Sequence, residues 1–322
     1  SATLPTGGSS SYTYQWQYST DGGASYSNVA TAGTALTYAP GALTQTTLYR
    51  LQQTDTYCTP HQIVNTNAVT ITVHGQLQAG TATADQTLCN GETPAILTST
   101  APTGGSGTFT YQWQYSTNGG SSWANVASGG TTLTYASAAL TTTTSFRLQQ
   151  TDTYCSPDQV VYTNTVTVTV HSQLTAGTAT ANQTICYGET PSTLSAIAPT
   201  GGSGMFAYQW QLSTDGGTNW TNVPAAGTLL TYSPPALTQT THYRLQQTDT
   251  YCTPSQSVYS NTIVITVHGQ MHAGTATANQ TICYGETPTA VTATLPTGGS
   301  GSYTFQWQYS TDGGASYSNV AT

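Results

Sequence analysis

The sequence predicts an all-β chain of tandem immunoglobulin-like β-sandwich domains, a rod-like array built on a 97-residue repeat. Three observations carry that prediction. Trp16, Trp113, Trp210 and Trp307 step by 97, as do Cys58, Cys155 and Cys252, Cys89, Cys186 and Cys283, and Arg50, Arg147 and Arg244. Apolar residues alternate with period two, and no stretch sustains a 3.6-residue period. Short strands separated by turn signals every 8–12 residues, about seven to a unit, are the pattern of an immunoglobulin-like sandwich. The period divides the chain into 1–77, a repeat that lacks its first strands, 78–174, 175–271, and 272–322, the N-terminal part of a fourth. Residues 1–31 nearly reproduce 292–322, so the chain reads as a window on a longer array.

The second repeat shows the elements in order. Strands are expected over 81–89 and 95–100, followed by the turn signal PTGGSG at 102–107. The segment FTYQWQY at 109–115 then carries Tyr111, Trp113 and Tyr115 inward, with Gln112 and Gln114 outward. After the NGG turn at 118–120, short middle strands fall at 124–126 and 131–135. A sixth strand at 145–150 points Phe146 and Leu148 into the core, and the last, at 163–171, points Val166, Val168 and Val170 there. Trp16, Trp113, Trp210 and Trp307 are the expected core centres. The linker at 171–176 holds no Pro or Gly run, which limits bending between neighbours.

Composition narrows function. Only 4% of the 322 residues are charged and the net charge is −8, with three Arg and no Lys. Three arginines cannot neutralise a phosphate backbone, so nucleic acid is not expected as a partner. No stretch nears the ~20 apolar residues that span a bilayer, so no membrane insertion is expected in this segment. Without Lys there are no Lys–Asn isopeptide cross-links. Twenty-two Tyr and six Trp argue against disorder.

The segments TICYGETP (184–191), YQWQL (208–212), TTHYRL (240–245) and NTIVITV (261–267) together resemble the tandem Ig-like repeats of giant Bacteroidota cell-surface proteins. The likeness extends over every repeat. It implies export by the type IX system and a place among gliding-type adhesins.

Two cysteines per repeat fit an oxidising, extracellular compartment. Two pairings are open. One is intradomain, Cys89–Cys155 and Cys186–Cys252. The other is interdomain, Cys89–Cys252, because the cysteine after the first strand and the cysteine in the last hairpin loop lie at opposite ends of one sandwich. The second strand carries no cysteine, so the sheet-to-sheet disulfide of antibody domains is absent.

No catalytic residue is expected. No Ser, His and Asp recur in an order that would make a nucleophilic site. Two Cys and scattered His fall short of a zinc set, and the carboxylates are too dispersed for calcium, so neither metal nor cofactor is expected. The segment STDGGTNW at 213–220 resembles the Asp-box hairpin of sialidases, a folding motif, with Asn118 replacing Asp in the second repeat. Arg147 should lie on the solvent side and pair with Asp152 or Glu189. His74, His171 and His268 recur at the end of the last strand, where a linker hydrogen bond is expected. The column Tyr26, Trp123, Trp220 and Tyr317 is the best candidate for ligand or assembly contacts.

These features point to a non-enzymatic extracellular structural protein, the stalk or filament of a cell-surface adhesin. Its partners would be neighbouring repeats of the same chain and identical chains in a fibre. The alternative is a multivalent module in which each repeat binds a glycan or surface ligand.

Overall fold

A computed structural model describes residues 1–321 other than Cys58 and Ala225. The chain divides into two compact units, residues 1–87 with 92–169, and residues 88–91 with 170–322. All named elements are strands.

The third repeat, in the second unit, shows the sandwich. Its larger sheet runs in the order Gln183–Ile185, Ile263–Val267, Thr241–Asp249, Phe206–Ser213 and Thr221–Asn222, with Gln256–Tyr259 also on Thr241–Asp249. Phe206–Ser213 and Thr241–Asp249 pair antiparallel with Trp210 opposite Leu245. The smaller sheet joins Leu194–Ser195 to Thr231–Tyr232. The chain entering the repeat bonds first to this smaller sheet, through the bridges Thr175↔Thr200 and Ala179↔Ala196. It then crosses over and runs parallel to Ile263–Val267, with Gln183 opposite Ile265. The first expected strand is thus two short pieces, one on each sheet.

Alternation sets what faces inward. Along Thr241–Asp249 every second residue is buried. Between the sheets Leu194, Trp210, Tyr232, Tyr243, Leu245, Ile263 and Ile265 form one apolar cluster. Trp210 stacks on Tyr232 at 6.3 Å and Tyr232 tilts against Tyr243 at 5.9 Å. The indole N–H of Trp210 donates to the Leu229 carbonyl at 3.0 Å, so the buried ring leaves no polar atom unsatisfied. Burial pushes the Tyr243 hydroxyl up to about 12.

A polar clamp joins the two sheets. Gln247, fully buried, accepts from the Gly177 N–H at 2.8 Å and donates to the Ile197 carbonyl at 2.8 Å, tying the two sheets. Gln150 does the same to Gly80 and the Thr100 carbonyl in the second repeat. A Cβ on Gly177 would lie 2.1 Å from the Ile197 oxygen, so only glycine lets the strand come this close.

The first unit repeats the pattern. Phe109–Ser116 pairs with Thr144–Asp152, and Trp113, Phe146, Leu148, Val166 and Val168 are buried. Tyr115, expected inward, is 39% exposed, because Ser116 turns in to bond Asn118 and Gly120. Two strands occupy stretches where none was expected. Gln159–Tyr162 pairs with Thr144–Asp152. Thr103–Gly105, inside the expected turn, pairs with the linker strand Gly75–Gln78. Leu77 and Leu174, at the ends of repeats as the period divides them, are buried at 3% and 5%. A Cβ on Gly105 would lie 3.1 Å from Leu77, and one on Gly202 the same distance from Leu174, so each leucine packs with the repeat that follows it.

Trp307, the fourth expected core centre, is 47% exposed, whereas Trp16, Trp113 and Trp210 are at most 6%. Its repeat is represented here by its N-terminal part, and by the 97-residue step the counterpart of Thr241–Asp249, which covers Trp210, would fall at 338–346, beyond residue 322.

Replacing Gln247 by Leu should destabilise the third repeat by about 2 kcal/mol or more, since it leaves a buried N–H and a buried carbonyl unpaired. Gln246→Leu on the outward side should stay within about 0.5 kcal/mol. Urea unfolding followed by tryptophan fluorescence separates the two.

Candidate functional site

On the outward face of each larger sheet the strands bring one arginine against aromatic rings. Arg244 lies between Trp220, 4.2 Å from its ring centroid, and Tyr259, at 4.0 Å. Its Nε donates to the Gln211 side-chain oxygen at 2.9 Å. Arg147 repeats the arrangement with Trp123, Tyr162 and Gln114. In the first repeat Arg50 covers Tyr26 at 3.7 Å, and Asn65 stands where the second ring would be. Tyr317 is 62% exposed. Three members of the aromatic column are therefore rungs of a ladder that packs on the sheet.

The expected ion pairs of Arg147 are not formed. Asp152 is taken by the Ser106 N–H at 2.5 Å and hydroxyl at 2.8 Å, and Glu189 accepts from the Cys186 N–H at 2.7 Å. A guanidinium held between two rings keeps its charge beside their negative faces, which suits arginine better than a carboxylate at this flat, neutral surface. Tyr162 and Tyr259 escaped the sequence reading because their strand did. The runs QVVY and QSVY, alternating just after a proline-containing loop, were the available signal.

The hairpin beneath the upper ring has the expected Asp-box geometry. Ser213 donates to Asp215 at 2.7 Å and accepts from the Gly217 N–H at 2.9 Å. Asp215 also accepts from the Asn219 backbone and side chain, and the Trp220 indole N–H caps the Gly217 carbonyl at 2.8 Å. The Asn219 and Ser213 donors lower the Asp215 carboxyl to about 2. This carboxylate is consumed by its own loop and has no spare role as acid or base. Asn118 makes the same contacts to Ser116 and Ser122, so the hairpin needs oxygen acceptors and not charge.

A second cluster lies at the repeat boundaries. Asp249 is fully buried and accepts from the Ser203 N–H and hydroxyl and from the Tyr251 N–H. Burial pushes its carboxyl up, but these three donors outweigh burial and hold it below the usual carboxylate range. The next residues form the loop that meets the preceding linker, where the Tyr251 ring stands edge-on to His171 at 5.1 Å. Tyr154 and His74 make the same contact in the first unit, at 5.0 Å. The expected linker hydrogen bond comes from the backbone, with the His171 N–H on the Leu88 carbonyl at 2.9 Å and that of His268 on Ile185 at 3.0 Å.

Beside this contact a disulfide joins Cys89 to Cys252, a cysteine of the second repeat to one of the third. The intradomain alternative is not formed, since Cys155 and Cys186 are free thiols, as is Cys283. Cys58 lies outside the described residues. Among the described residues no three His, Cys, Asp or Glu side chains group as a metal set.

These strands, crossovers and buried tryptophans define a tandem repeat of immunoglobulin-like sandwiches. The chain belongs to the family described as domain of unknown function (DUF8696), whose model matches residues 1–75, 78–172, 175–269 and 272–322. No curated protein matches it. Among solved structures it is similar to a marsupial T cell receptor, at 13% identity over 64% of this chain and 79% of that one, with a TM-score of 0.37. It is also similar to Drosophila OTK extracellular domains 3–5, at 14% identity over 80% and 86%, TM-score 0.30. Sidekick-1 immunoglobulin domains 1–4 align at 13% over 83% and 69%, TM-score 0.28.

Two outcomes follow from this geometry. Arg244→Lys should cost about 1–2 kcal/mol despite keeping the charge, because an ammonium cannot lie flat between Trp220 and Tyr259; differential unfolding of the two proteins reads it. The depressed carboxyl of Asp249 contributes stability that is present above the unfolded value near 3.9 and lost as pH falls through the folded value. The urea midpoint of the third repeat should therefore fall on acidification below about pH 4, and Asp249→Asn should flatten that fall.

Proposed function

We propose that this chain is a non-enzymatic, extracellular structural array, the stalk or filament of a cell-surface adhesin. One observation carries the reading: among the described residues the arginines, the Asp-box side chains and the buried aspartates are spent on the repeat itself. The three arginines lie against rings, the Asp-box carboxylates close their own hairpins, and the buried aspartates hold the loops at the boundaries. The disulfide between successive repeats supports an oxidising, extracellular setting. The resemblance to giant Bacteroidota surface proteins supports export by the type IX system and attachment to the cell. The outward faces are polar and almost uncharged, which leaves little repulsion between identical chains lying side by side.

Imaging the native material by cryo-electron microscopy tests this. A thread or fibre with one bead per 97 residues along its axis is the expected result. Dispersed, non-filamentous particles that bind immobilised glycans with an avidity rising with repeat number would overturn it in favour of the multivalent binding module.

A further inference from the structure

We propose that the cleft at the end of the second repeat, walled by Tyr115 and Tyr135, binds a neutral pyranose sugar. The proposal goes beyond the filament reading and stands without it.

The second repeat lies whole within the chain, and all of residues 78–174 are described. Its two sheets part where Phe109–Ser116 ends and Thr144–Asp152 begins, leaving a cavity of about 340 Å³. Sites for small molecules run from about 300 to 1,000 Å³. Tyr115 and Phe146 line the cavity from the larger sheet, and Tyr135 lines it from the smaller. Tyr115, 39% exposed, stands at its opening.

The third repeat closes the same end. Leu212 stands in place of Tyr115, and Pro224, Pro234 and Pro235 stand in place of Ala127, Ser137 and Ala138. Tyr232 and Leu237 are buried at 7% and 9%, whereas their counterparts Tyr135 and Leu140 are only half-buried. The fold therefore has no need of the opening. A closed end takes more apolar surface out of water, so the open one forgoes stability available to the same sandwich. The first repeat has tyrosine at both positions, Tyr18 and Tyr38.

The lining selects the ligand. No charged side chain faces the cleft, so neither an anion nor a cation would find a partner there. The hydroxyls of Tyr115 and Tyr135 have no hydrogen-bond partner among the described residues. Ser137 and Thr144, buried at 8% and 4%, donate to the carbonyls of Ala138 at 3.0 Å and Thr142 at 2.9 Å. Their oxygens keep lone pairs that can accept. A wholly apolar ligand would leave these groups unpaired. The cleft thus suits a neutral molecule with an apolar face for the tyrosine rings and a rim of groups that both donate and accept. A pyranose has both, since its C–H bonds form a face and its hydroxyls project from the edge.

Saturation-transfer NMR should be run on the 322-residue chain with the methyl glycosides of glucose, galactose, mannose, fucose and N-acetylglucosamine. At least one should bind, with a Kd of about 1 mM or tighter. The double variant Tyr18→Leu with Tyr115→Leu should weaken that binding at least about tenfold. Leucine already occupies this position in the third repeat, so the variant should stay folded, and urea unfolding checks that it does. Absence of binding by all five at about 10 mM overturns the proposal, as does binding that the double variant leaves unchanged. Equal or tighter binding of methyl glucuronide overturns the assignment to a neutral sugar. Self-association that the double variant abolishes, without sugar binding, assigns the cleft to a second copy and overturns the proposal too. The dissolved chain reads the cleft whatever form the native material takes, so loss of the filament reading is told apart from loss of this one.

Discussion

Each sandwich must hold two sheets together across a small core, and one fully buried glutamine does the joining. Gln247 and Gln150 each reach from the centre of the larger sheet to the backbone of the smaller one. Among the described residues the cluster around Trp210 has nine buried members. At about 1.5–3 kcal/mol per buried side chain, apolar burial is large but opposed by chain entropy of similar size. Two hydrogen bonds in a dry interior then decide which backbone meets which, because leaving either group unpaired is expensive. The glutamine also dictates its partner, since only a strand with glycine at 80 or 177 comes near enough. The crossover of the entering strand, its parallel pairing and the burial of Ile263 and Ile265 all follow from that seating.

The fold was legible because its signals are periodic. The 97-residue step, the alternation around Trp113 and the valine run at 166–170 each reflect a side chain that must face inward. What escaped was structure specified by position and not by pattern. PTGGSG at 102–107 reads as a turn on composition, yet the backbone of Thr103–Gly105 within it pairs with a linker strand nearly thirty residues earlier. Gln150 and Gln247 look like any outward glutamine until their strand's phase is known. Arg147 invited a carboxylate partner by charge alone, whereas Trp123 and Tyr162 reach it only because two hairpins of the sheet fold to the same side. The cysteines stood between two pairings because connectivity depends on how successive repeats meet, which one repeat's pattern does not contain.

Repetition changes what an individual residue accomplishes. The His171–Tyr251 contact would be trivial in one domain, but His74–Tyr154 shows it made again at another boundary. The buried aspartate, the linker leucine and the glycine beside them recur with it, so a boundary is itself a conserved unit of geometry within this chain. Stabilisation here comes from stacking, short-range hydrogen bonds and burial, and none of the three guanidinium groups is set against a carboxylate. Such contacts are little affected by dissolved salt, whose screening acts on separated charges.

The bond between Cys89 and Cys252 also alters what happens when the chain is pulled. Tension applied at the two ends passes through the sulfurs and bypasses everything between them, a sequence separation of 163 residues. Even if residues 90–251 unravelled, they could not lengthen the molecule, and roughly 550 Å of slack, at about 3.4 Å per residue, would stay withheld. Over that stretch the covalent load path is a single cross-link, which makes it an inextensible link and not a spring.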